Sequence, residues 1–306
     1  MDVYRFGRMM TAIATPFEPS GSIDFPALER VARYLEASGN DALVATGSTG
    51  ESATLTDRER FEVWKAVAEA TTIPVIAGAT TNDTAHSLRL VADAERAGAQ
   101  GILAVTPYYN RPPQAGLLRH FGAVCEATEL PVILYDIPVR TGRKIAMNTT
   151  LALVERHPNL IGVKDASADV VGAGQLLAAS PREIALYSGD DALLLPFLSV
   201  GGYGLISVAG HWASPVFSAL IDSFAKGDVA RAVRLGAILD ESCRFETGDL
   251  YPNPIPTKAM LAELGLLSPA LRSPMVDVPD ELFPVARRVW ETLVAAAHSE
   301  GIVLGE

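Results

Sequence analysis

Short apolar runs alternate with amphipathic segments from about residue 9 to residue 225. Most of these runs are apolar at every position, which is typical of parallel strands covered by helices on one side and by a packed interior on the other. The pattern predicts eight strands, at 9–15, 41–46, 73–79, 101–106, 131–136, 160–164, 184–188 and 203–208.

Each predicted strand is followed by a segment with helical periodicity. These helices are expected at 24–38, 57–71, 83–97, 113–128, 147–157, 167–179, 190–199 and 212–226. Eight consecutive β-then-α units are the number that closes an α/β protein into a (β/α)8 TIM barrel. An open doubly wound sheet is the alternative, but it offers no reason for the pattern to stop at eight.

Several predicted helices begin with residues that commonly cap helix N-termini. Thr56 precedes one helix, Asn82 precedes another, and Asn148-Thr149 lies at the start of a third.

The last 80 residues predict helices at 228–244, 255–265 and 279–298. The proline-rich segment at 251–256 reads as a stiff connector. We therefore expect a C-terminal helical cap packed on the barrel. The chain would divide into a catalytic barrel at 1–226 and a helical domain at 227–306.

The composition is that of an ordinary globular protein, with 306 residues of which 49% are hydrophobic and 20% charged. A barrel of this length can be a single unit. The net charge of −11, with scattered basic residues, argues against nucleic acid or anionic lipid as a partner. No apolar run is long enough to span a bilayer.

The two cysteines, Cys125 and Cys243, are far apart and have no metal-ligand spacing around them. Two reduced thiols in a cytoplasmic protein are the simpler interpretation than a disulfide framework or a zinc site. Arg5 and Arg8 precede a short apolar stretch that ends at Pro16. Its dimensions favour a first strand over a secretory signal.

Polar residues follow the apolar runs at several strand ends. Because the reactive groups of such barrels lie at the C-terminal ends of the strands, we expect these residues to converge on one rim. They are the turn 47–52, Tyr108-Tyr109-Asn110, Tyr135-Asp136 with Arg140, Lys164-Asp165, and the segment 188–191.

Lys164 is the centre of the functional hypothesis. It ends a buried strand, whereas the other four lysines lie in predicted helices or loops, where a solvated ammonium needs no explanation. Burial lowers the pKa of an amine and makes a nucleophile available near neutral pH, able to condense with a ketone. The alternative is an ion pair with a barrel carboxylate such as Asp190. Strand position alone leaves both open.

Each of the neighbouring residues likewise has one functional and one purely structural interpretation. Tyr135 ends the preceding strand and can pass protons beside Lys164, or be a core tyrosine bonded to a carbonyl. Arg140 offers a fork for a substrate carboxylate, or is a surface arginine. The small and hydroxyl residues of the turn 47–52 can cradle a carboxylate, although a lone glycine-rich turn is weak evidence.

The five histidines show no metal-ligand spacing, and neither a metal nor a cofactor is expected. His211 follows the last strand, but we do not expect it to be catalytic. The Asp190-Asp191 pair is expected to cap a helix and not to form a catalytic dyad.

Together these segments resemble the dihydrodipicolinate synthase and N-acetylneuraminate lyase family of class I aldolases, and its synthase branch most closely. The resemblance covers nearly the whole chain, from Thr15-Pro16-Phe17 to Arg272-Ser273-Pro274-Met275. Its motifs occur in order as GSTGES at 47–52, VTPYYNRP at 105–112, YDIPVRTG at 135–142, GVKDAS at 162–167 and YSGDD at 187–191.

The resemblance implies four catalytic residues. Lys164 would form an imine with pyruvate, and Tyr135 would donate and accept the protons. Ser48 would connect Tyr135 to Tyr109, which the family supplies from a neighbouring subunit. Activity would then need at least a dimer, and a homotetramer is the usual assembly.

The resemblance also implies the substrate contacts. Thr49 with adjacent backbone N–H groups, the main chain of Ile206, and Gly189 would bind pyruvate. Arg140 would bind the carboxylate of aspartate β-semialdehyde. The product would be 4-hydroxy-tetrahydrodipicolinate, at the entry to diaminopimelate and lysine biosynthesis.

Three departures from the family pattern bear on this assignment. Synthases usually carry threonine at Ser48, where lyases commonly have serine, whereas lyases generally lack Arg140. We give Arg140 more weight, because leaving a substrate carboxylate unpaired costs more free energy than loosening the rotamer of the hydroxyl at Ser48. The segment 207–212 is bulkier than in many synthases. At the lysine feedback site, His86, Asp57 and Arg60 predict weak or absent inhibition.

Two other functions remain as alternatives. One is a pyruvate-dependent aldolase or lyase acting on a sugar-derived 2-keto acid. The other is a catalytically silent barrel that binds a keto acid, although such a barrel would be expected to lack the lysine or the tyrosine.

Overall fold

The computed structural model describes residues 1–305, and its eight strands form one closed parallel barrel in which each strand pairs with the next and β8 pairs with β1. This confirms the predicted fold class. Each observed strand lies within or one residue beyond its predicted run. The strands are β1 (Met9–Ala12), β2 (Ala42–Ala45), β3 (Val75–Gly78), β4 (Gly101–Val105), β5 (Val132–Asp136), β6 (Leu160–Asp165), β7 (Ala185–Ser188) and β8 (Gly204–Ser207).

Helices follow the strands in the predicted order, and within residues 1–305 no helix is both long and apolar enough to cross a membrane. They are α1 (Phe25–Ala37), α2 (Asp57–Ala70), α3 (Thr84–Arg96), α4 (Gln114–Glu126), α5 (Pro138–Thr141), α6 (Met147–Arg156), α7 (Val170–Ala179), α8 (Leu194–Ser199), α9 (Gly210–Ala225), α10 (Val229–Phe245), α11 (Ile255–Glu263) and α12 (Leu282–Ser299).

Two of these helices differ from the sequence pattern. The short α5 was not predicted, and it turns the chain just after β5 so that Arg140 lies at the rim. The predicted helix at 190–199 is divided into a 3-10 turn at Asp191–Leu193 followed by α8.

One of the three predicted helix caps is correct. Thr56 forms a capping box with Glu59, each side chain bonding the other residue's backbone N–H. The Asn82 prediction is wrong because α3 begins one residue later, where the Asp83 carboxylate accepts the Ala85 N–H. The prediction at Asn148-Thr149 is wrong because both residues lie inside α6, which begins at Met147 without a side-chain cap.

The core has two layers around the barrel wall. Inside the barrel, side chains from all eight strands pack together, among them Met10, Val44, Ile133 and Ile206. Outside it, larger apolar side chains such as Trp64 and Phe121 join the helices to the sheet. Because both faces of every strand are buried, the strands read as continuous apolar runs.

The C-terminal helices pack against the barrel as a cap. Their apolar side chains join Leu205 of β8 and the inner face of α9 in one buried cluster, which includes Trp212, Leu235, Leu239 and Leu293. The division of the chain at residue 226 into two domains stays a prediction.

Candidate active site

Two adjoining cavities open at the C-terminal ends of the strands. One, of about 590 Å³, contains Lys164, and the other, of about 410 Å³, lies beside it against the turn after β2. The two cavities share part of their lining, which consists of Gly47, Ser48, Leu103, Tyr135, Ile137 and Arg140. The rim at which the sequence predicted polar residues therefore carries one continuous concave surface formed by the two cavities.

Lys164 is buried near the end of β6, with 4% of its surface exposed. Its strand neighbour in register is Tyr135, and its Nζ lies 4.4 Å from the centre of that ring. Burial, helped by the positive charge of Arg140, lowers the pKa of Lys164 to about 8, although Asp191 and Glu246 oppose the shift. A substantial fraction of the amine is therefore neutral in the physiological range.

The ion-pair alternative for Lys164 is not supported. None of the ion pairs formed within residues 1–305 includes it. Asp190 instead caps the turn that follows β7, where its carboxylate accepts the Ala192 N–H at 3.1 Å.

Tyr135 is also buried, and it holds its proton firmly. Burial raises the pKa of its phenol to about 12, and nearby Arg140 and Ser48 offset part of that rise. The phenol is therefore neutral at physiological pH and can donate a proton toward a group bound over Lys164.

The turn after β2 supplies Ser48 to both cavities and Thr49 to the larger one. Thr49 is 2% exposed, and its hydroxyl accepts a hydrogen bond of 3.0 Å from the side-chain amide of Asn253. Asn253 also accepts, through its main-chain oxygen, a hydrogen bond from Arg140. The C-terminal region therefore positions two of the expected substrate-binding residues.

Gly189 lies against the lysine, and its lack of a side chain is required there. A Cβ at this position would stand 3.0 Å from Cε of Lys164 and 2.9 Å from Cβ of Ala166.

Tyr109 lines the smaller cavity with 91% of its surface exposed. Ile206 is fully buried in the barrel interior, and neither cavity reaches its side chain.

Backbone conformation differs between the two rims of the barrel. Among residues 1–305, five residues other than glycine have a positive φ, and all five lie in segments that follow β2, β4 or β6: Thr46, Glu51, Tyr109, Arg111 and Ala168. At the opposite rim the left-handed conformation is taken by glycines, including Gly39, Gly98 and Gly201.

His211 lies outside both cavities. It is fully buried, its Nδ1–H donates to the Val208 carbonyl at 2.7 Å, and its Nε2 accepts the Ala14 N–H at 3.0 Å. Burial lowers its pKa to about 4, so the ring is neutral. Within residues 1–305, no cluster of three or more histidine, cysteine or acidic side chains is arranged to hold a metal.

The sequence interpretation of Lys258 was wrong. This residue is not a solvated helix lysine, because it is completely buried. Its Nζ lies 2.6 Å from Oε1 of Glu51, donates to the Ala270 carbonyl at 2.8 Å, and stands 4.3 Å from the centre of the Phe17 ring. The sequence carried a signal for this, because the helical segment around Lys258 has no polar face, which is typical of a buried helix.

Glu51 connects this lysine to the substrate-binding turn. Its second carboxylate oxygen accepts the backbone N–H of Arg272 at 3.1 Å. The C-terminal region therefore holds the turn through Lys258, Arg272 and Asn253, in contacts between residues about 200 positions apart.

Three further residues of the cavity wall were missed by sequence reasoning. Cys243, Glu246 and Asn253 all come from the C-terminal region and face the Lys164 cavity. Glu246 is buried, and its Oε2 accepts the Ala209 N–H at 2.9 Å.

Comparison with known proteins finds relatives over nearly the whole chain. A model described as the dihydrodipicolinate synthetase family matches residues 5–290. The 4-hydroxy-tetrahydrodipicolinate synthase of Symbiobacterium thermophilum is 43% identical over 93% of this chain and 97% of its own length. The chain is thus similar to this enzyme over nearly all of both sequences.

Solved structures give the same result in three dimensions. The 4-hydroxy-tetrahydrodipicolinate synthase of Methylacidiphilum fumariolicum superimposes with a TM-score of 0.90 at 38% identity, covering 95% of this chain and 97% of that one. The dihydrodipicolinate synthase of Acinetobacter baumannii, solved in complex with pyruvate, gives 0.89 at 33% identity, covering 94% and 99%.

Proposed function

The chain belongs to the dihydrodipicolinate synthetase family, and from this premise we propose that Lys164 is the residue that forms an imine with its substrate. The protein is a lyase of the 4-hydroxy-tetrahydrodipicolinate synthase type. Its reaction joins pyruvate to aspartate β-semialdehyde and yields 4-hydroxy-tetrahydrodipicolinate.

The observation that carries the proposal is the buried amine of Lys164, whose pKa is lowered to about 8, next to the phenol of Tyr135. The neutral amine attacks the ketone carbon of pyruvate to give a carbinolamine. Loss of water gives the imine, and loss of a methyl proton gives the enamine. The enamine carbon then adds to the aldehyde carbon, and the aldehyde oxygen takes up a proton. The amino group of the semialdehyde finally attacks the imine carbon, which closes the ring, breaks the bond to Nζ and releases Lys164 as the free amine.

Tyr135 is the proton donor and acceptor for these steps. Its phenol is protonated at physiological pH, so it can donate a proton to the reacting group and take one back in a later step. Ser48 is placed in the same wall and relays the proton toward a second tyrosine, Tyr109. The exposure of Tyr109 in the single chain supports its completing the site of a neighbouring subunit. The working form would then be at least a dimer, and we propose a homotetramer.

Thr49 and the neighbouring N–H groups hold the carboxylate of pyruvate, with Gly189 leaving room above Lys164. The main chain of Ile206 is proposed to lie near the bound keto acid. No metal or cofactor is proposed, because the buried amine supplies the electrophilic activation that an aldol addition needs.

Arg140 favours aspartate semialdehyde over a sugar-derived substrate. It lies in the wall shared by both cavities, and its guanidinium is held by the Asn253 carbonyl at 3.2 Å. A guanidinium fork suits a carboxylate better than an array of neutral hydroxyl groups. We also propose a cytoplasmic location, in keeping with two free cysteines and small metabolites as substrates.

Borohydride trapping tests the function. The protein is incubated with pyruvate and borohydride, with and without aspartate semialdehyde, and its peptides are analysed by mass spectrometry. We expect a reduced pyruvate adduct on Lys164 that the semialdehyde suppresses through turnover. An adduct that the semialdehyde does not change would move the assignment to a sugar-derived acid. An unmodified Lys164 would contradict the imine itself.

Inhibition by lysine is expected to be weak or absent. The Asp57 carboxylate is already in contact with His86 Nε2 at 2.8 Å, and the buried guanidinium of Arg60 adds positive charge nearby. An amino group entering there would find no free carboxylate. Initial rates measured against lysine concentration check this, and inhibition in the millimolar range would contradict it. The variant His86→Glu is expected to gain sensitivity, because it adds a fixed negative charge.

A further inference from the structure

Two carboxylates converge on one backbone N–H at the edge of the Lys164 cavity. The Ala209 N–H lies 2.9 Å from Oε2 of Glu246 and 3.3 Å from Oδ2 of Asp191. Both residues are buried, with 6% and 4% of their surfaces exposed. Two acidic side chains that meet this closely away from water cannot both be ionised without a large cost.

The surrounding donors favour a charge on Asp191 and not on Glu246. Asp191 accepts the Val208 N–H at 2.9 Å in addition to the Ala209 N–H, and also the hydroxyl proton of Ser207. The oxygen of that hydroxyl also accepts the Gly210 N–H at 2.7 Å, which fixes its position beside Asp191. Glu246 accepts only the shared Ala209 N–H.

No ion pair within residues 1–305 relieves the crowding of the two carboxylates. Among the ion pairs formed by residues 1–305, none includes Asp191 or Glu246. Burial and the neighbouring Asp191 raise the pKa of Glu246 well above its ordinary value. Glu246 therefore keeps its proton and can donate it in a hydrogen bond to Asp191.

We propose that Glu246 and Asp191 share one proton, and that this shared proton limits the negative charge facing Lys164 to a single unit. Glu246 is thus a positioning residue that acts on the nucleophile through the electrostatic field. Both carboxylates favour the ammonium form of Lys164 when they are charged. A second full charge would hold more of the amine protonated and slow its attack on a ketone.

This inference rests on the proposed imine at Lys164, and the other groups around the amine are part of the same field. Arg140 opposes protonation of the lysine, and Tyr135 is neutral. Burial and nearby carboxylates also raise the pKa of the Cys243 thiol, which is therefore uncharged. The remaining acidic residues of the cavity wall are Asp190 and Asp249.

A double-mutant cycle tests the shared proton. The rate of imine formation with pyruvate is measured against pH in the full-length protein and in Glu246→Gln, Asp191→Asn and the double variant. The rate falls on the acid side as Lys164 becomes protonated, and the midpoint of this fall is the readout. Glu241→Gln is the control, because Glu241 lies on α10, just before Glu246 in the chain, and outside the Lys164 cavity.

Each single variant is expected to move the midpoint little. Glu246→Gln leaves Asp191 charged. In Asp191→Asn the charge and the hydrogen bond that add to the effect of burial on the pKa of Glu246 are gone, so Glu246 ionises more readily and restores part of the lost charge. The double variant removes both, so its midpoint should shift to lower pH by about one unit. This non-additive result is the signature of one shared proton. Equal and additive shifts from the two single variants would overturn the proposal.

A second measurement covers variants that fail to fold. The carbonyl stretch of a protonated carboxylic acid is expected in the infrared spectrum of the unmodified protein at a pH above the pKa of Asp136, which burial raises to about 7, and this band should lose intensity in Glu246→Gln. Its absence from the unmodified protein would overturn the proposal. Borohydride trapping on Lys164 is run on the same samples. If the adduct forms and the shifts of the midpoint are additive, only the shared proton is contradicted. If the unmodified protein gives no adduct, the proposed function itself is contradicted.

Discussion

We expect the Lys164→Met variant to lose kcat by on the order of 10³-fold or more and to give no borohydride-trapped adduct. Methionine fills a similar volume but has no amine, so neither the carbinolamine nor the enamine can form. The fold should tolerate the change, because Lys164 forms no ion pair among residues 1–305 and its burial penalises a charge. Steady-state rates and peptide mass spectrometry are the measurements.

The matched control makes the same chemical change at an exposed lysine. Lys226 has 76% of its side chain exposed, and Lys226→Met should keep both activity and trapping at the level of the unmodified protein. Circular dichroism checks that both variants are folded. A folded Lys164→Met variant with activity within tenfold of the unmodified protein would show that another group carries the reaction.

The second large effect is expected at Lys258, and on stability. In Lys258→Met the carboxylate of Glu51 loses its partner at 2.6 Å while it remains buried. Breaking a buried pair by removing one partner costs about 3–5 kcal/mol of unfolding free energy, because an uncompensated charge is left in a medium of low polarity. Urea denaturation monitored by tryptophan fluorescence measures the loss.

Two further variants isolate the cause. The double variant Lys258→Met with Glu51→Gln removes both charges and should recover much of the lost stability. Lys226→Met, which breaks only an exposed contact of 3.6 Å with Asp222, should cost less than about 1 kcal/mol. If Lys258→Met is no less stable than Lys226→Met, the buried pair does not hold the turn.

The barrel could be predicted from sequence because its strands are buried on both faces. Each therefore appears as an uninterrupted apolar run, such as residues 132–134, and the amphipathic helices between the runs fix the order.

The first residues of the helices were less predictable. Asp83 and Asn82 are adjacent residues with comparable capping ability, and the backbone path decides between them.

The centre of the site could be predicted because it depends on adjacent strand ends. Tyr135 and Lys164 pair in register, so their proximity follows from strand order alone. Asn253 and Glu246 could not be placed in this way, and neither could the partner of Lys258, although the lack of a polar face on α11 indicated that this lysine is buried. Asn253 and Glu246 reach the cavity, and Lys258 reaches Glu51, only because the C-terminal helices fold back over the rim. No local pattern encodes such contacts between distant parts of the chain.

The unequal backbone of the two rims has a consequence for how this protein can change. Thr46, Glu51, Tyr109, Arg111 and Ala168 hold a left-handed conformation that disfavours side chains, at roughly 1–3 kcal/mol each. All of these residues stand at the end of the barrel where the chemistry takes place, whereas glycines relieve the opposite end. Three of them, Thr46, Glu51 and Tyr109, also line the smaller cavity. Substitutions that relieve this strain would therefore alter the candidate site, whereas substitutions at the opposite end could stabilise the fold without touching it.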